Sequence, residues 1–344
     1  YQFYYFILDE AQYIKNQSTK NAQAVKLING KYRFALTGTP IENSLAELWS
    51  IFDFLMPQYL YNYHHFKETY EIPIIKNEDQ EKQAKLKRFV EPFILRRTKK
   101  DVLTELPDKI ENNVLIPFTP DEEKVYLANL STINTELQSA IQVNHIDKIQ
   151  ILAMMTRLRQ LCCDQRILYN NVQEPSSKLK ACMDIIETAK ENEQKILLFS
   201  SFTKSLDLIE AELRKKDISY YVLTGATTKI KRHQLVNAFQ NDKTTVFLIS
   251  LKAGGTGLNL TSASTVIHFD PWWNMSAQNQ ATDRAYRIGQ TNNVQVYKLI
   301  MKNSIEEKIQ KLQEQKQDLS NMFIENNHGS ITQMSTADII DLFK

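Results

Sequence analysis

The chain has 344 residues, 42% hydrophobic and 24% charged, with a formal net charge of +2; this is enough for roughly two globular domains with substantial cores. A balance so close to neutral excludes total charge as a sign of nucleic-acid binding, so any polyanion site must come from local clustering. No apolar run approaches the roughly 18–20 residues of a membrane span, no signal peptide opens the chain, and Cys162, Cys163 and Cys182 lack metal-ligand spacing, which suits a reducing compartment rather than a disulfide framework.

The first element is the apolar run Phe3–Leu8, which reads as a buried strand and stops abruptly at Asp9 and Glu10. Tyr1, not Met, opens the chain and already stands in a strand-like stretch, which predicts further sequence upstream. Acids at a strand end either mark the place where water begins or lie at the carboxyl edge of an α/β sheet, where such folds bind ligands. Thr19 to Ile28 has helical apolar spacing and stops at Asn29-Gly30. "YRFALTGTP" is a second strand running into a Gly/Thr/Pro loop, and "SLAELWSIFDFLMP" an amphipathic helix closed by Pro57. This β-α-β-α alternation predicts a parallel sheet.

From Tyr59 to about Ile110 the pattern turns helical, charged and aromatic. Arg96, Arg97, Lys99 and Lys100 fall together there and read either as a solvated basic helix face or as a polyanion contact. Helical spacing resumes from Thr119 to Leu168, where the Met and Leu residues of "ILAMMTRLRQLCC" read as core. After Pro175-Ser176-Ser177 a new α/β pattern begins. "KILLFS", "SYYVLTG", "TTVFLIS", "STVIHFD" and "VQVYKLI" read as strands; "KLKACMDIIETAK", "SLDLIEAELRKK", "KIKRHQLVNAFQ" and "MSAQNQATDRAYR" read as helices. A long polar-faced helix from Ser304 closes the chain.

Four segments carry candidate chemistry. "LDEAQ" offers paired carboxylates. "LTGTPIEN" offers hydroxyls on a loop broken by Gly38 and Pro40. "SLKAGGTGLNLTSAS" is a Gly-rich loop after a buried strand, of the kind that lets backbone N–H groups approach phosphate. In "QNQATDRAYRIGQ", Arg284 and Arg287 stand three apart and so share one helix face. Their guanidinium forks suit phosphate; taken alone, they read as two surface arginines on a helix.

Joined in this order, the four segments resemble the later motifs of superfamily-two nucleic-acid motors. More narrowly, the chain resembles the Swi/Snf-type ATPases, the double-stranded-DNA translocases that include chromatin remodellers and their bacterial relatives. The resemblance runs through "ILDEAQYIKN", "YRFALTGTPIENSLAELWSIFDFLMP", "EPFILRRTKKDVLTELPDK", "KILLFSSFT", "LISLKAGGTGLNLTSASTVIHFDPWWN" and "QATDRAYRIGQT", nearly the whole chain. It implies an α/β fold of two RecA-like lobes with parallel sheets, the first lobe incomplete, plus family-specific helical insertions and a C-terminal helix. The expected domains are a first-lobe remnant over 1–58, a helical insertion and linker over 59–110, a helical protrusion over 111–177, a second lobe over 178–302, and a brace helix and tail over 303–344. The Ile/Lys/Asn-rich composition leans towards a bacterial or archaeal member.

The resemblance also implies roles. Asp9 holds Mg²⁺ through water and Glu10 acts on the attacking water, as in phosphoryl transfer generally. Gln12, Thr37, Gly38 and Thr39 couple the nucleotide to DNA. Gly255, Gly257, Gln280 and Asp283 belong to the nucleotide side, and Arg284 and Arg287 reach the γ-phosphate as arginine fingers. Thr256, Lys252, Trp272, Trp273, Arg96 and Arg97 face DNA. The implied cofactors are ATP and Mg²⁺. The implied partner is double-stranded DNA, held mainly through phosphates, with a protein partner or DNA-bound cargo and no membrane. The expected location is intracellular: cytoplasm or nucleoid in a prokaryote, nucleus in a eukaryote. One departure is large: the phosphate cradle G-x-x-x-x-G-K-[ST] occurs nowhere in the chain, and Gly30-Lys31 is followed by Tyr32. Two further readings remain, a strand-separating helicase and a non-catalytic DNA-binding scaffold.

Overall fold

The computed structural model describes the chain outside residues 39–44, 78, 98, 104, 143–147, 255–256, 272–274, 312–342 and 344. Thr39, Gly255, Thr256, Trp272 and Trp273 therefore lie outside the described residues. The chain divides into two compact units, one on Tyr1–Val102 and one on Leu103–Leu312, the second also taking in Phe343.

In the first unit β1 (Phe3–Leu8) and β2 (Gly30–Ala35) pair in parallel, with Tyr5 opposite Tyr32 and Ile7 opposite Phe34. A 3₁₀ turn (Ala11–Ile14) and α1 (Lys20–Lys26) connect them. Thr19 starts α1 by accepting the Ala22 N–H at its hydroxyl, 3.3 Å, which satisfies one of the helix's orphan donors. α2 (Leu45–Leu55) follows, and its Phe54 meets Phe6 edge to face at 5.2 Å. Ile14, Ala22 and Phe54 form a small core against Phe6, Leu8 and Ala35.

Successive strand residues point to opposite faces, and the described residues cover only one face of this pair. Phe3, Tyr5, Ile7, Tyr32 and Phe34 are 43–59% exposed. The reading of Phe3–Leu8 as a buried strand is thus corrected. The strand is present, but among the described residues α1 and α2 pack on the Phe6 and Leu8 side alone. The rest of the unit is helical: α3 (Tyr63–Phe66), a π-turn (Lys67–Glu71), α4 (Ile72–Asn77), α5 (Gln80–Val90) and α6 (Lys99–Val102). Phe66, Tyr70, Ile74, Leu86 and Val90 pack with Leu48, Trp49 and Phe52 of α2.

The second unit opens with β3 (Lys109–Ile116), then α7 (Pro120–Gln142), α8 (Lys148–Cys163) and α9 (Ser177–Glu191). Alternation follows: β4 (Ile196–Ser200), α10 (Thr203–Lys215), β5 (Tyr220–Leu223), α11 (Lys229–Asn241), β6 (Val246–Ser250), α12 (Leu251–Gly254), β7 (Thr265–His268), α13 (Met275–Thr282) and β8 (Val294–Met301). The six strands pair in parallel in the order β3-β8-β7-β4-β6-β5. Every residue of β4, β6 and β7 is buried, as continuous apolar strands require when helices cover both sheet faces. Burying one Leu or Ile side chain this way contributes about 1.5–3 kcal/mol.

β3 is a strand that the sequence reading did not assign. Its centre is polar, Glu111-Asn112-Asn113, yet it pairs with β8 along its whole length, from Lys109 opposite Val294 to Ile116 opposite Met301. It is the sheet's edge, so its outer polar groups meet water, and Glu111 is tied to Lys109 and Lys298. The core predicted in "ILAMMTRLRQLCC" is present: Ile151, Met154, Met155, Leu158, Leu161, Cys162 and Cys163 are buried. Among the described residues no helix is long and apolar enough to cross a membrane.

Candidate functional site

In the first unit the carboxyl ends of β1 and β2 bring several of the expected residues together. The Leu36 N–H donates to the Leu8 carbonyl (2.8 Å) and the Ala11 N–H to the Leu36 carbonyl (2.9 Å), which fixes the two strand exits side by side. Asp9 is exposed and its Oδ1 accepts the Glu10 N–H at 2.9 Å. Glu10 has φ 51° and ψ 52°, a left-handed conformation that costs an L residue about 1–2 kcal/mol and tends to cluster at functional sites. The Gln12 amide donates to Glu10 Oε2 at 2.5 Å, and the Thr37 hydroxyl donates to Gln12 Oε1 at 2.9 Å. Glu10, Gln12 and Thr37 thus form one hydrogen-bonded chain across the two strand ends. Gly38 follows, exposed, with nothing within 4 Å of the position of a Cβ. Arg96 and Arg97 are exposed and lie outside the helices.

In the second unit the Gly-rich segment leaves β6 through α12. Gly254 is packed tightly: an added Cβ would stand 3.0 Å from the Phe199 ring and 3.3 Å from Ile249. Gly257 has φ +40°, in the left-handed region that favours glycine. Lys252 is exposed, while Gln280 and Asp283 are half-buried. The arginines are not arranged as the sequence predicted. α13 ends at Thr282, so Arg284 and Arg287 stand in the turns after the helix and not on its face. The Arg284 carbonyl accepts the Leu260 N–H (3.0 Å) and the Arg287 N–H turns to Ala285 (3.2 Å), which diverts the backbone groups that a longer helix would use. Both side chains reach the Gly-rich segment. Arg284 Nε donates to the Gly254 carbonyl at 3.1 Å, and Arg287 Nη1 to the Leu258 carbonyl at 3.2 Å.

Other residues of this edge were not singled out from the sequence. The Gln290 amide donates to the carbonyls of Thr261 (3.1 Å), Ala263 (2.8 Å) and Ala285 (3.1 Å), while its Oε1 accepts the Thr291 and Asn292 N–H groups. It therefore locks the arginine turns to the end of the Gly-rich segment. His268 is buried at the end of β7 and shares a 2.9 Å hydrogen bond with Thr282, the last residue of α13. Burial, with help from Lys298, pushes its imidazole down to about 3, so it is neutral. Asp270 is buried and bonded to Ser200, Ser201 and Arg159. Asp270 stood in the quoted "HFDPWWN" and Arg159 in a helix read as core; a pairing over 111 positions leaves no local signal.

The described half-sites can be set beside known proteins. Residues 1–167 match the SNF2-related domain and residues 177–289 the helicase conserved C-terminal domain. The Sulfolobus solfataricus SWI2/SNF2 ATPase core, solved in complex with dsDNA, is 38% identical; the match covers 99% of this chain and 73% of that one, with a TM-score of 0.57. The chain belongs to the SWI2/SNF2 ATPase family. Its two α/β units with parallel sheets accordingly correspond to the RecA-like lobes of SWI2/SNF2 cores. An uncharacterized ATP-dependent helicase of Mycoplasma pneumoniae is 39% identical over 100% of this chain and 33% of its own length. The putative ATP-dependent helicase/translocase YwqA of Bacillus subtilis is 38% identical over 98% of this chain and 37% of its own length. This SWI2/SNF2 chain thus spans about a third of the length of the curated relatives it matches.

Proposed function

We propose that the protein is an ATP-driven motor on double-stranded DNA, hydrolysing ATP in a cleft between its two RecA-like lobes and tracking the duplex without separating its strands. One observation carries the reading. Arg284 and Arg287, implied to meet the nucleotide, grip the carbonyls of Gly254 and Leu258, which bracket the segment implied to lie between the nucleotide and the DNA backbone. A change at the phosphate is then transmitted directly to the DNA side. The dsDNA bound by the Sulfolobus core supports the choice of partner.

In this mechanism the Glu10–Gln12–Thr37 chain has a defined job. The Gln12 amide holds one carboxylate oxygen of Glu10, so the other is oriented to take a proton from the attacking water. The Thr37 hydroxyl donates to Gln12 Oε1, which fixes the amide with its nitrogen towards Glu10. Asp9 suits Mg²⁺. Among the described residues no group of three or more His, Cys, Asp or Glu could hold a metal, and Mg²⁺ typically takes one or two carboxylates and keeps waters and substrate phosphates for the rest. When bound, the ion neutralises phosphate charge. Arg284 and Arg287 act as the fingers, and Gln280, Asp283, Gly255 and Gly257 line the nucleotide side. Lys252, Thr256, Trp272, Trp273, Arg96 and Arg97 serve the DNA side, with Gly38 and Thr39 in the coupling loop. The domain limits set out from the sequence belong to the same proposal, as do an intracellular location and a DNA-bound cargo or protein partner.

The phosphate cradle is absent from the 344 residues, and we place it in sequence preceding Tyr1. Positioning supplies most of the catalysis in this reaction class, so residues 1–344 alone should release no phosphate above background. The test compares this chain with the protein including its preceding sequence, with and without duplex DNA. The expected result is DNA-stimulated turnover only in the longer protein, no displaced strand, and duplex binding that ignores sequence and weakens steeply with salt. Turnover by residues 1–344 would show that the nucleotide site is misplaced; strand displacement would favour a helicase.

A further inference from the structure

The carboxyl edge of the second sheet contains a buried charged cluster with no assigned role. The chain runs from β4 outward to β5 on one side, then returns past β4 to β7 and β8 on the other. Strand order therefore reverses between β4 and β7, the place where open α/β sheets put their ligands. At that point Asp270 is 4% exposed and Arg159, from α8, is 3% exposed. Asp270 Oδ1 accepts the Ser200 hydroxyl (2.5 Å) and the Ser201 N–H (3.0 Å). Arg159 Nη2 donates to Asp270 Oδ2 (3.1 Å) and to the Pro271 carbonyl (2.9 Å). The guanidinium also lies over the Phe202 ring, 5.1 Å from its centroid.

We infer that Arg159 is a positioning residue for the motor reaction: it fixes the Asp270–Pro271 turn at the strand-order reversal, and through that turn sets how strongly DNA stimulates ATP hydrolysis. This rests on the motor reading above. The chemistry of the contact is the argument. A buried arginine is costly to desolvate, and here its Nη2 answers two acceptors at once. Here one guanidinium joins a carboxylate, a backbone carbonyl and an aromatic face contributed by two separate strand ends. Those ends lead in opposite directions. Ser200–Phe202 passes into α10, while Pro271 leads on to α13 and then to Arg284 and Arg287. Arg159 itself belongs to α8, a helix outside the sheet. The cluster therefore ties the helical part of the unit to the segment that delivers both arginines. Structural support for the sheet does not need it, because β4 and β7 are already paired from Ile196–Thr265 to Phe199–His268.

The test uses the protein with its preceding sequence, measuring turnover with and without duplex, half-saturating DNA, and the thermal midpoint. Arg159→Lys keeps the charge, but its shorter stem does not carry Nζ to the place of Nη2, the one nitrogen that meets both Asp270 and the Pro271 carbonyl, and it removes the planar group over Phe202. It should lower DNA-stimulated turnover by about tenfold or more, in line with the cost of small misplacements in an assembled site, and lower DNA-free turnover far less. Half-saturating DNA should stay within about threefold, since no phosphate contact is lost. Phe202→Leu removes only the ring under the guanidinium and should lower the stimulation by about two- to fivefold. It carries the test if Arg159→Lys fails to fold. Equal losses with and without DNA, or an unaltered stimulation factor in a folded variant, overturn the inference and leave Arg159 as packing. An unsubstituted protein that DNA does not stimulate brings down the motor reading itself, and this inference with it.

Discussion

β1 of the first unit and β4 of the second are both short apolar strands in parallel sheets, yet they end in opposite environments. β4 lies between β6 and β7, and its Ile196, Leu197, Leu198 and Phe199 are at most 1% exposed. Among the described residues β1 has a single partner, and its Phe3, Tyr5 and Ile7 are about half exposed. The difference teaches that burial of a strand belongs to its neighbours. A pleated strand offers two faces, and each needs its own cover. The ion pairs follow the same division. Lys178 and Glu306 are completely buried in the second unit, whereas Lys26 and Asp53 in the first are 20% and 24% exposed.

Each unit also supplies half of the proposed chemistry, and the sharpest test is made there. In the protein with its preceding sequence, Arg287→Ala should lower DNA-stimulated hydrolysis by about 10³-fold or more, the usual worth of an arginine finger, with most DNA affinity kept. Glu10→Gln, from the other unit, should still bind ATP and trap it. A steady-state assay beside nucleotide-binding titrations separates the two. Turnover within a few-fold of the unsubstituted protein would remove Arg287 from the finger role.

The next largest effect concerns the ion pairs. Lys178 Nζ donates to both oxygens of Glu306 (2.7 and 2.6 Å), and Glu306 also accepts the Met301 N–H at 3.0 Å. Lys178→Met leaves a buried carboxylate without its cation, which costs about 3–5 kcal/mol. Adding Glu306→Leu should recover much of that loss. Asp53→Asn in the first unit should cost under about 1 kcal/mol. Urea unfolding of the three variants measures the contrast, and similar losses from Lys178→Met and Asp53→Asn would break it.

Core truncation comes third. Leu198→Ala, at a position with no exposed surface, should cost about 2–5 kcal/mol. Ile7→Ala, 59% exposed, should stay within about 0.5 kcal/mol. Hydrogen exchange over the β1 and β4 peptides reads both locally. A large loss from Ile7→Ala would mean that the outer face of β1 is covered in solution.

The smallest effect at any one step is a slope, read per pH unit. His268 is neutral and buried, with its imidazole pushed from 6.5 to about 3. The unfolded imidazole takes a proton first, so the stabilisation is complete above about pH 6.5 and is lost as pH falls towards 3. Over that window His268 should make the second unit lose stability by about 1.4 kcal/mol more per pH unit than His268→Gln does. Urea midpoints across the window check this; parallel pH profiles would remove His268 as the cause.

Much of this architecture was legible in the residues. The apolar runs at Ile196–Ser200, Val246–Ser250 and Thr265–His268 could hardly be anything but interior parallel strands. β3 was hidden because an edge strand tolerates Asn112 and Asn113 among its paired residues, which blurs the apolar pattern. The end of α13 was hidden for a different reason. After Thr282 the chain turns through short-range bonds, Arg284 N–H to Ala281 and Arg287 N–H to Ala285, and is held there by the distant Leu260 N–H and by Gln290, which reaches back to Thr261 and Ala263.

The sequence by itself determined the alternation of strands and helices, the motif order that marks a SWI2/SNF2 ATPase, and the placing of Asp9 and Glu10 at a strand end. These follow from near neighbours in the chain, where spacing and propensity act directly. Only the tertiary structure decided which face of β1 is covered, that Gln12 bridges Glu10 and Thr37, that Arg284 and Arg287 hold the Gly-rich segment, and that Arg159 closes on Asp270. Each of these contacts except Gln12 to Glu10 joins residues more than ten positions apart. Their partners are chosen by the packing of whole elements, and a polar group taken out of water accepts whichever partner that packing delivers.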